Sequence, residues 1–368
     1  MYDFEPTEEQ KMLIDWVKRF AENDLRPAAH EAEEKAEIPQ SLVNKGWELG
    51  ILQASIPEKF GGFGERSAVT GVLAAEEMAW GDLAAALAVM TPSLFALPIL
   101  LAGNEDQQRA YLPPLVEGPW RPYTAALIEP AFDFDPLDLQ TTAREQDDIF
   151  VIEGVKTLVP YAEGAEAFIV YANWEGRTQG FIVPAEIEGI DVQERCKLLG
   201  VNALPTYRVR FDQVRIPKGN LLGGLGRVNE HIGHEMAPLL AASRVALAAL
   251  AVGLARAAFE YSRDYAKERE AFGVKIAQKQ AIAFMLAEMA TEIEAMRLLT
   301  WEAAWMIDQN LPEAPTRAYL ALTGAADMAM MVTDRAVQIL GGHGYIRDHP
   351  VEHWMRNARG ITNLMAMV

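Results

Sequence analysis

The chain has 368 residues, half of them hydrophobic, which is enough for two or three domains that each bury a core. Its 52 acidic side chains outnumber 33 Lys and Arg, and the net charge of −19 makes nucleic acids and anionic membranes poor partners. The single cysteine, Cys196, excludes an intrachain disulfide and is compatible with the reducing cytoplasm, where we expect the protein to act.

Residues 1–121 predict a helical domain. Thr7 and Gln10 have the spacing of a capping box, and apolar residues then recur at helical spacing from Met12 to Phe20. Further helices are predicted over residues 39–50, 67–80, 83–101 and 105–117. The acidic start lacks the apolar run of a signal or transit sequence. Longer apolar stretches are interrupted by Gly, Pro or charge, so we predict no membrane span.

Residues 122–222 predict a β-domain, because their apolar runs are short and rich in β-branched and aromatic residues. Ile149–Ile152 and Phe168–Tyr171 are examples, and turn-like clusters separate such runs. Helices return in residues 223–368. They are predicted over 236–268, 276–309 and 313–340 and after Pro350. Consecutive helices predict an antiparallel bundle. The expected fold is α+β, with an N-terminal helical domain, a β-barrel-like middle domain and a C-terminal four-helix bundle.

Several short segments carry a resemblance to a known family. They are Glu48–Leu52, Ile56–Gly62, Tyr111–Leu115, Arg269–Gly273, Gln338–Tyr345 and Pro350–Arg359. Each segment alone has moderate specificity. In this order and at these separations, they resemble the acyl-CoA dehydrogenases over almost the whole chain.

The resemblance implies FAD bound at a subunit interface. In the family, the flavin ring and the acyl thioester lie between one subunit's β-domain and its C-terminal helices, and the ADP half of the same FAD reaches a neighbouring subunit. A glutamate removes the α-proton of the acyl group while the flavin accepts a hydride from the β-carbon. The implied activity is desaturation of an acyl-CoA at a CH–CH bond.

The residues that would serve the ADP half of a neighbour's FAD are present, and we call them the ADP clamp. They are Arg269, Phe272, Gln280, Gln338, Gly341 and Gly342. By resemblance, the arginine pairs with the pyrophosphate, the phenylalanine packs near the adenine, and the glutamines offer amides. The glycines have no Cβ to block approach to the phosphates. The alternative interpretation is a surface ion pair followed by an ordinary helix end.

The residues that would seat the flavin ring differ from the family pattern. Where the family has Thr, Ser, Trp and Thr, this chain has Ile128, Phe134, Leu158 and Pro160. Asp133 replaces a glycine in the same loop, and Phe134 is expected to fill part of the ring's space. A buried polar edge without a hydrogen-bond partner costs about 1–3 kcal/mol. The sequence therefore predicts a poor seat for a flavin ring.

The two family positions for the catalytic glutamate are Met365 and Ser243, and neither side chain can remove an α-proton. We therefore assign no catalytic residue. Arg244, which follows the second position, is a candidate substrate contact by resemblance. His349 and His353 are four residues apart, but no carboxylate or cysteine completes a metal-ligand spacing, so we predict no metal site.

Three carboxylates on the altered loop are candidates for a substitute base: Glu129, Asp133 and Asp135. Loop capping or surface charge is the interpretation we favour for all three. Cys196 is interpreted as a packing residue instead of a nucleophile.

The residues that match the family pattern would serve a neighbour's FAD. The residues that differ from it stand where the family binds a subunit's own flavin and carries out the chemistry. The leading hypothesis is therefore a degenerate subunit that lends its ADP clamp to a catalytic acyl-CoA dehydrogenase subunit in an α2β2 assembly. The partner would bind the acyl-CoA and pass electrons to an acceptor resembling electron-transfer flavoprotein. One alternative is a self-sufficient homo-oligomeric flavoenzyme with an unusual base. Another is a flavin-free scaffold or binding protein.

Overall fold

The predicted order of helices, strands and helices is confirmed by the computed structural model, which describes residues 5–64, 66–225 and 236–364. The helices before the sheet are α1 (Glu8–Phe20), α2 (Arg26–Lys35), α3 (Gln40–Trp47), α4 (Ala68–Gly81), α5 (Leu83–Met90), α6 (Ser93–Ala102) and α7 (Glu105–Glu117). A π-helical turn, Ala21–Leu25, joins α1 to α2.

Side-chain caps define where four of these helices begin: α1, α4, α5 and α7. At α1 the predicted capping box is present: Thr7 accepts from the backbone of Gln10, whose side chain accepts from the backbone of Thr7. At α4 the cap comes partly from a distant helix. The carboxylate of Asp308 accepts from the backbone N–H groups of Ala68 at 2.6 Å and Val69 at 3.1 Å. This carboxylate links the N-terminal helices to the C-terminal bundle.

The middle region is a curled, mainly antiparallel sheet. Its strands are β1 (Tyr123–Ala126), β2 (Thr142–Gln146), β3 (Ile149–Pro160), β4 (Ala167–Trp174), β5 (Arg177–Pro184), β6 (Ile190–Arg195) and β7 (Thr206–Pro217). They follow the order β1-β4-β2-β3-β7-β6, with β5 beside β4. Phe150, Phe168, Phe181 and Phe211 fill a core of their own inside the curl. The register of β3 against β7 shifts between Lys156 and Val159, which re-aims the side chains at the end of β3.

The C-terminal region contains α8 (Met236–Glu268), α9 (Gln280–Asp308), α10 (Ala314–Leu340) and α11 (Val351–Arg359). A two-stranded hairpin, β8 (Glu270–Ala271) and β9 (Val274–Lys275), joins α8 to α9. The last helix has only nine residues and is much shorter than the other three. A 3₁₀ turn, Gly341–Tyr345, follows α10.

Helix α8 is the central element of the molecule. Among the described residues, it is the single helix with the length and apolar composition of a membrane span, and 67% of its most apolar window is buried within the protein. We interpret it as a core helix, since α4, α9, α10 and α11 all pack on it. Its contact with α4 is close enough that a Cβ on Gly253 would lie 2.1 Å from the carbonyl oxygen of Glu76.

This close contact predicts opposite outcomes for the same substitution at two helical glycines. Gly253→Ala should lower the free energy of unfolding by about 1–3 kcal/mol, because α4 and α8 must move apart. Gly71→Ala in α4 is the control, since its added Cβ would meet no atom within 4 Å. It should raise the free energy of unfolding by about 0.5–1 kcal/mol through helix propensity. Denaturant unfolding of both variants tests this, and equal effects would contradict the packing argument.

Candidate functional site

The hairpin between α8 and α9 exposes the first part of the ADP clamp, Arg269 and Phe272, to solvent. Arg269 directly follows α8 and is exposed, and no acidic group lies within ion-pair distance of it in the described part of the chain. The hairpin turn is Phe272–Gly273, both with positive φ, 54° and 81°. Such a backbone is costly for phenylalanine, yet its ring is 95% exposed. The surface-ion-pair alternative for Arg269 therefore has no partner residue among those described.

The second part of the clamp lies at the end of α10. Gly341 has φ 59° and ψ −129°, a backbone that requires glycine. A Cβ on Gly341 or Gly342 would meet no described atom within 4 Å, so open space lies over this turn. Gln338 is exposed three residues before it, and Gln280 is exposed as the first residue of α9. All six clamp residues are thus exposed at helix ends or turns.

A separate open space, which we call the ring cleft, lies between the β-domain and the C-terminal residues. Its volume is about 570 Å³, and it is bounded by residues 128–134, 157–158, 198–201 and 356–364. Ile128, Phe134 and Leu158 line it, as the sequence comparison with the family predicted, and none of these side chains can donate a hydrogen bond. Phe134 packs against the core, so the cleft stays open beside it. Pro160 is different, because it is buried at the end of β3 and pairs with Thr206.

Glu129, the first candidate for a substitute base, is held in a buried ion pair. Its Oε1 lies 2.8 Å from the ammonium group of Lys156, and its two oxygens also accept from the backbone N–H groups of Gln140 and Thr141. Burial would raise the pKa of Glu129, but the charge and hydrogen bond of Lys156 and the two N–H donors outweigh burial and lower it. Burial lowers the pKa of Lys156 to about 8 against the attraction of Glu129. A carboxylate held this way caps the loop, as the favoured interpretation predicted.

The other two loop carboxylates lie in a turn and on the surface, as the favoured interpretation of loop capping or surface charge predicted. Asp135 accepts from the backbone N–H of Leu137 at 2.8 Å and stabilises the turn, while Asp133 is exposed. Cys196 lies 3.8 Å from the hydroxyl of Thr157 and is partly buried, in keeping with a packing residue. Among the described residues, no group of three or more His, Cys, Asp or Glu has the geometry of a metal site.

The region around Ser243 offers little space for an acyl group. Ser243 is buried on α8 and lines a cavity of about 50 Å³; a neighbouring cavity of about 80 Å³ shares Ser93, Leu97 and Ala242 with it. Ligand sites usually have volumes of roughly 300–1,000 Å³. Arg244 turns toward Tyr319, with its guanidinium carbon 5.3 Å from the ring centroid. Met365 lies outside the described residues.

Comparison with known proteins gives this arrangement its context. Family models for the N-terminal, middle and C-terminal domains of acyl-CoA dehydrogenases match residues 7–119, 124–214 and 235–364. The chain belongs to the acyl-CoA dehydrogenase family. This family consists of FAD-dependent oxidoreductases that act on CH–CH groups.

Similar proteins span nearly the full length of the chain. A probable acyl-CoA dehydrogenase, YngJ of Bacillus subtilis, is 35% identical over 97% of this chain and 94% of its own. The caffeyl-CoA reductase–Etf complex subunit CarC of Acetobacterium woodii is 34% identical over 97% and 94%. The structure of butyryl-CoA dehydrogenase from Megasphaera elsdenii has a TM-score of 0.90, with 32% identity over 100% of this chain and 96% of that one.

FAD, the cofactor of acyl-CoA dehydrogenases, fits the ADP clamp of this chain better than it fits the ring cleft. The ADP clamp offers a cation without a described partner and open space over two glycines, which suits a pyrophosphate. The ring cleft has room, but three of its wall residues cannot donate to the polar edge of a flavin. When bound, FAD supplies the hydride-accepting group of the family reaction.

The wall behind the ring cleft contains a charged cluster that the sequence did not reveal. His353 is buried, with Nδ1 3.8 Å from Glu33 and Nε2 3.5 Å from Asp82. The amide nitrogen of Asn357 lies 3.1 Å from His353 Nε2, and the amide oxygen of Asn357 accepts from the backbone N–H of Val201 at 2.6 Å. The cluster thus positions the 198–201 segment of the cleft. The spacing of residues in the sequence does not indicate that α2, the α4–α5 junction and α11 lie together.

The protonation of His353 should make stability depend on pH. Burial lowers the pKa of His353, but the nearby carboxylates of Asp82 and Glu33 outweigh burial and raise it to about 9. A raised pKa stabilises the folded state below the unfolded value of about 6.5, and this contribution is lost as the pH rises through about 9. The loss should be on the order of 3 kcal/mol between these limits.

The measurement is the free energy of unfolding across this pH range, compared between wild type and His353→Gln. The difference between the two should shrink as the pH rises, because the wild type loses its ion pairs while the variant never has them. His30→Gln, at an exposed histidine of α2, is the control and should leave the wild-type pH profile intact. A constant difference between wild type and His353→Gln would show that His353 is neutral in the folded protein.

Proposed function

We propose that this chain is a subunit of a hetero-oligomeric acyl-CoA dehydrogenase, in which it holds the ADP half of an FAD whose ring lies in a catalytic partner. The observation that carries the proposal is the contrast between its two half-sites. The ADP clamp has an arginine without a described ion-pair partner and an open glycine turn. Ile128, Phe134 and Leu158 in the ring cleft cannot donate hydrogen bonds, and Glu129, the candidate base that lines the described part of the cleft, is held by Lys156.

The surroundings of the clamp support a covering partner. Phe272, Tyr345 and Phe284 are 95%, 88% and 58% exposed, on the hairpin, the glycine turn and α9. Exposed aromatic residues grouped near one site are typical of an interface between proteins. We propose that the partner is a complete acyl-CoA dehydrogenase chain in an α2β2 assembly, since the clamp matches the FAD of its own family.

In this assembly, the partner binds the acyl-CoA, supplies the glutamate and places the flavin ring next to the substrate. This chain binds and orients the pyrophosphate and covers the adenine. The relative CarC is described as a subunit of a complex with Etf, which supports an acceptor resembling electron-transfer flavoprotein. We further propose that the complex acts in the cytoplasm.

A second candidate is a self-sufficient homo-oligomer, and the volume of the ring cleft favours it. About 570 Å³ remain open at the place where the family seats the flavin ring. Such an enzyme would use a base other than the family's glutamate. The purified chain separates the candidates by colour: a yellow, active homo-oligomer supports the second, and a colourless chain that becomes yellow and active with its partner supports the first. A chain that stays colourless with the partner supports a flavin-free scaffold.

The clamp assignment predicts the effect of removing Arg269. Arg269→Ala should weaken FAD binding to the assembled complex by roughly 10- to 100-fold, because a hydrogen bond to a charged group contributes about 1.5–3 kcal/mol. Equilibrium titration of the apo-complex with FAD measures this. Arg109→Ala is the control, since Arg109 is an exposed arginine on α7 paired with Glu105. Unchanged FAD affinity in Arg269→Ala would disprove the assignment.

The proposed function also predicts that the isolated chain has no dehydrogenase activity, even when a glutamate is restored. Met365→Glu should remain inactive, because the ring cleft would still lack its donors. Acyl-CoA-dependent reduction of a dye by each purified chain tests this, with the partner-containing complex as the positive control. Turnover by the wild-type chain alone would support the homo-oligomer, and Glu129→Gln would be the first variant to examine. Turnover gained only by Met365→Glu would mean that the ring cleft seats a flavin.

A further inference from the structure

Four aromatic side chains connect the end of α8 to the segment that follows α10. Tyr261 and Tyr265 lie one turn apart on one face of α8. The hydroxyl of Tyr265 lies 2.7 Å from His343 Nδ1, and the hydroxyl of Tyr261 lies 2.7 Å from His349 Nδ1. The two imidazole rings stack on each other, with centroids 5.4 Å apart and planes 18° apart. We call these four residues the Tyr–His latch.

The latch lies between the two parts of the ADP clamp. The backbone N–H of Arg269 donates to the carbonyl oxygen of Tyr265 at 2.8 Å, so Tyr265 lies directly one helical turn before the arginine. His343 lies two residues after Gly341, within the same 3₁₀ turn. A single side-chain hydrogen bond, from Tyr265 to His343, therefore joins the helix end that carries Arg269 to the turn that carries the clamp glycines.

The glycine turn is packed at one end, where Gly344 is buried against Val337 of α10, and open at the other. Gly341 and Gly342 are exposed, and the space beside them is open. The left-handed backbone at Gly341 allows sharp redirection of the chain but does not itself fix where the turn points. A phosphate bound by Arg269 on one side and backbone N–H groups on the other needs both at a fixed separation, since misplacement by about 1 Å weakens such contacts strongly.

We propose that Tyr265 is a positioning residue for FAD, which acts through His343 to set the distance between Arg269 and the Gly341–Gly342 turn. Tyr261 and His349 support it, because the stacked His349 ring keeps the plane of His343 facing Tyr265. The inference rests on the proposed function, since it requires that the ADP clamp holds FAD. It assigns no contact between Tyr265 and the cofactor itself.

The test uses the assembled complex with its catalytic partner and compares two flavins. Tyr265→Phe keeps the ring and removes the hydroxyl. It should weaken FAD binding roughly fivefold, as expected for the loss of one hydrogen bond between neutral groups. FMN binding should change less, because FMN lacks the AMP part of FAD and its one phosphate does not need Arg269 and the glycine turn at a fixed separation. A general loss of structure would weaken both flavins, so the FAD-to-FMN affinity ratio separates positioning from folding.

A second pair of variants tests the same contact from the histidine side. His343→Asn keeps an acceptor close to the place of Nδ1 and should retain most of the FAD affinity, whereas His343→Leu should weaken it as Tyr265→Phe does. Tyr207→Phe is the matched control, because it also removes a tyrosine hydroxyl bonded at 2.7 Å, to Glu163 in the β-domain. It should leave both flavin affinities unchanged.

The outcomes distinguish the latch from the proposed function. If Tyr265→Phe and His343→Leu leave FAD affinity unchanged while Arg269→Ala weakens it, the positioning role of Tyr265 is wrong and the proposed function stands. Equal weakening of FAD and FMN would also overturn the positioning role. If Arg269→Ala leaves FAD affinity unchanged, both the proposed function and the positioning role of Tyr265 are wrong.

Discussion

The packing of α8 against α4 is the constraint on which the rest of the molecule depends. The two helices approach so closely at Gly253 that a side chain there would overlap the carbonyl group of Glu76. At the same place, Arg256 forms a two-point ion pair with Glu77, at 2.7 and 2.6 Å, and also binds Glu76. Arg297 of α9 binds Glu76 as well, so one buried acidic pair joins three helices. Removing Arg256 would take from the buried Glu77 its ion-pair partner, whereas Glu76 would still be bound by Arg297.

This packing holds α8 in place along its length, and its two ends carry different positions of the family pattern. At a rise of about 1.5 Å per residue, its 33 residues span roughly 50 Å. The family's second position for a base, Ser243, lies near one end within small cavities, and Arg269 directly follows the other end. The family's second position for a base and the proposed contact to FAD therefore lie far apart on one element. A substitution at one end need not change the surface at the other, because the packing between them does not involve either.

The side chains that differ from the family pattern around the ring cleft leave the ion pairs behind it intact. The Lys156–Glu129 ion pair still closes the base of its loop, and Arg356 still binds Glu33, Glu352 and the carbonyl oxygen of Leu199 in its wall. The side chains that differ from the family pattern face the open space or end a strand. Substitutions there change what the cleft can bind, whereas substitutions in the pairs behind it would leave charges buried without partners.

The sequence alone determined the family and the order of the three regions, because short motifs at set separations and helical or alternating apolar periods are local properties. It also showed that Ile128, Phe134 and Leu158 cannot donate hydrogen bonds. Only the tertiary structure decided that Glu129 is already held by Lys156, since the partners are 27 residues apart. The same holds for the His353 cluster, which joins α2, the α4–α5 junction and α11, and for the contact between Tyr265 and His343, 78 residues apart. Such contacts depend on how the helices pack, and no local pattern in the chain encodes the distance between residues on different elements.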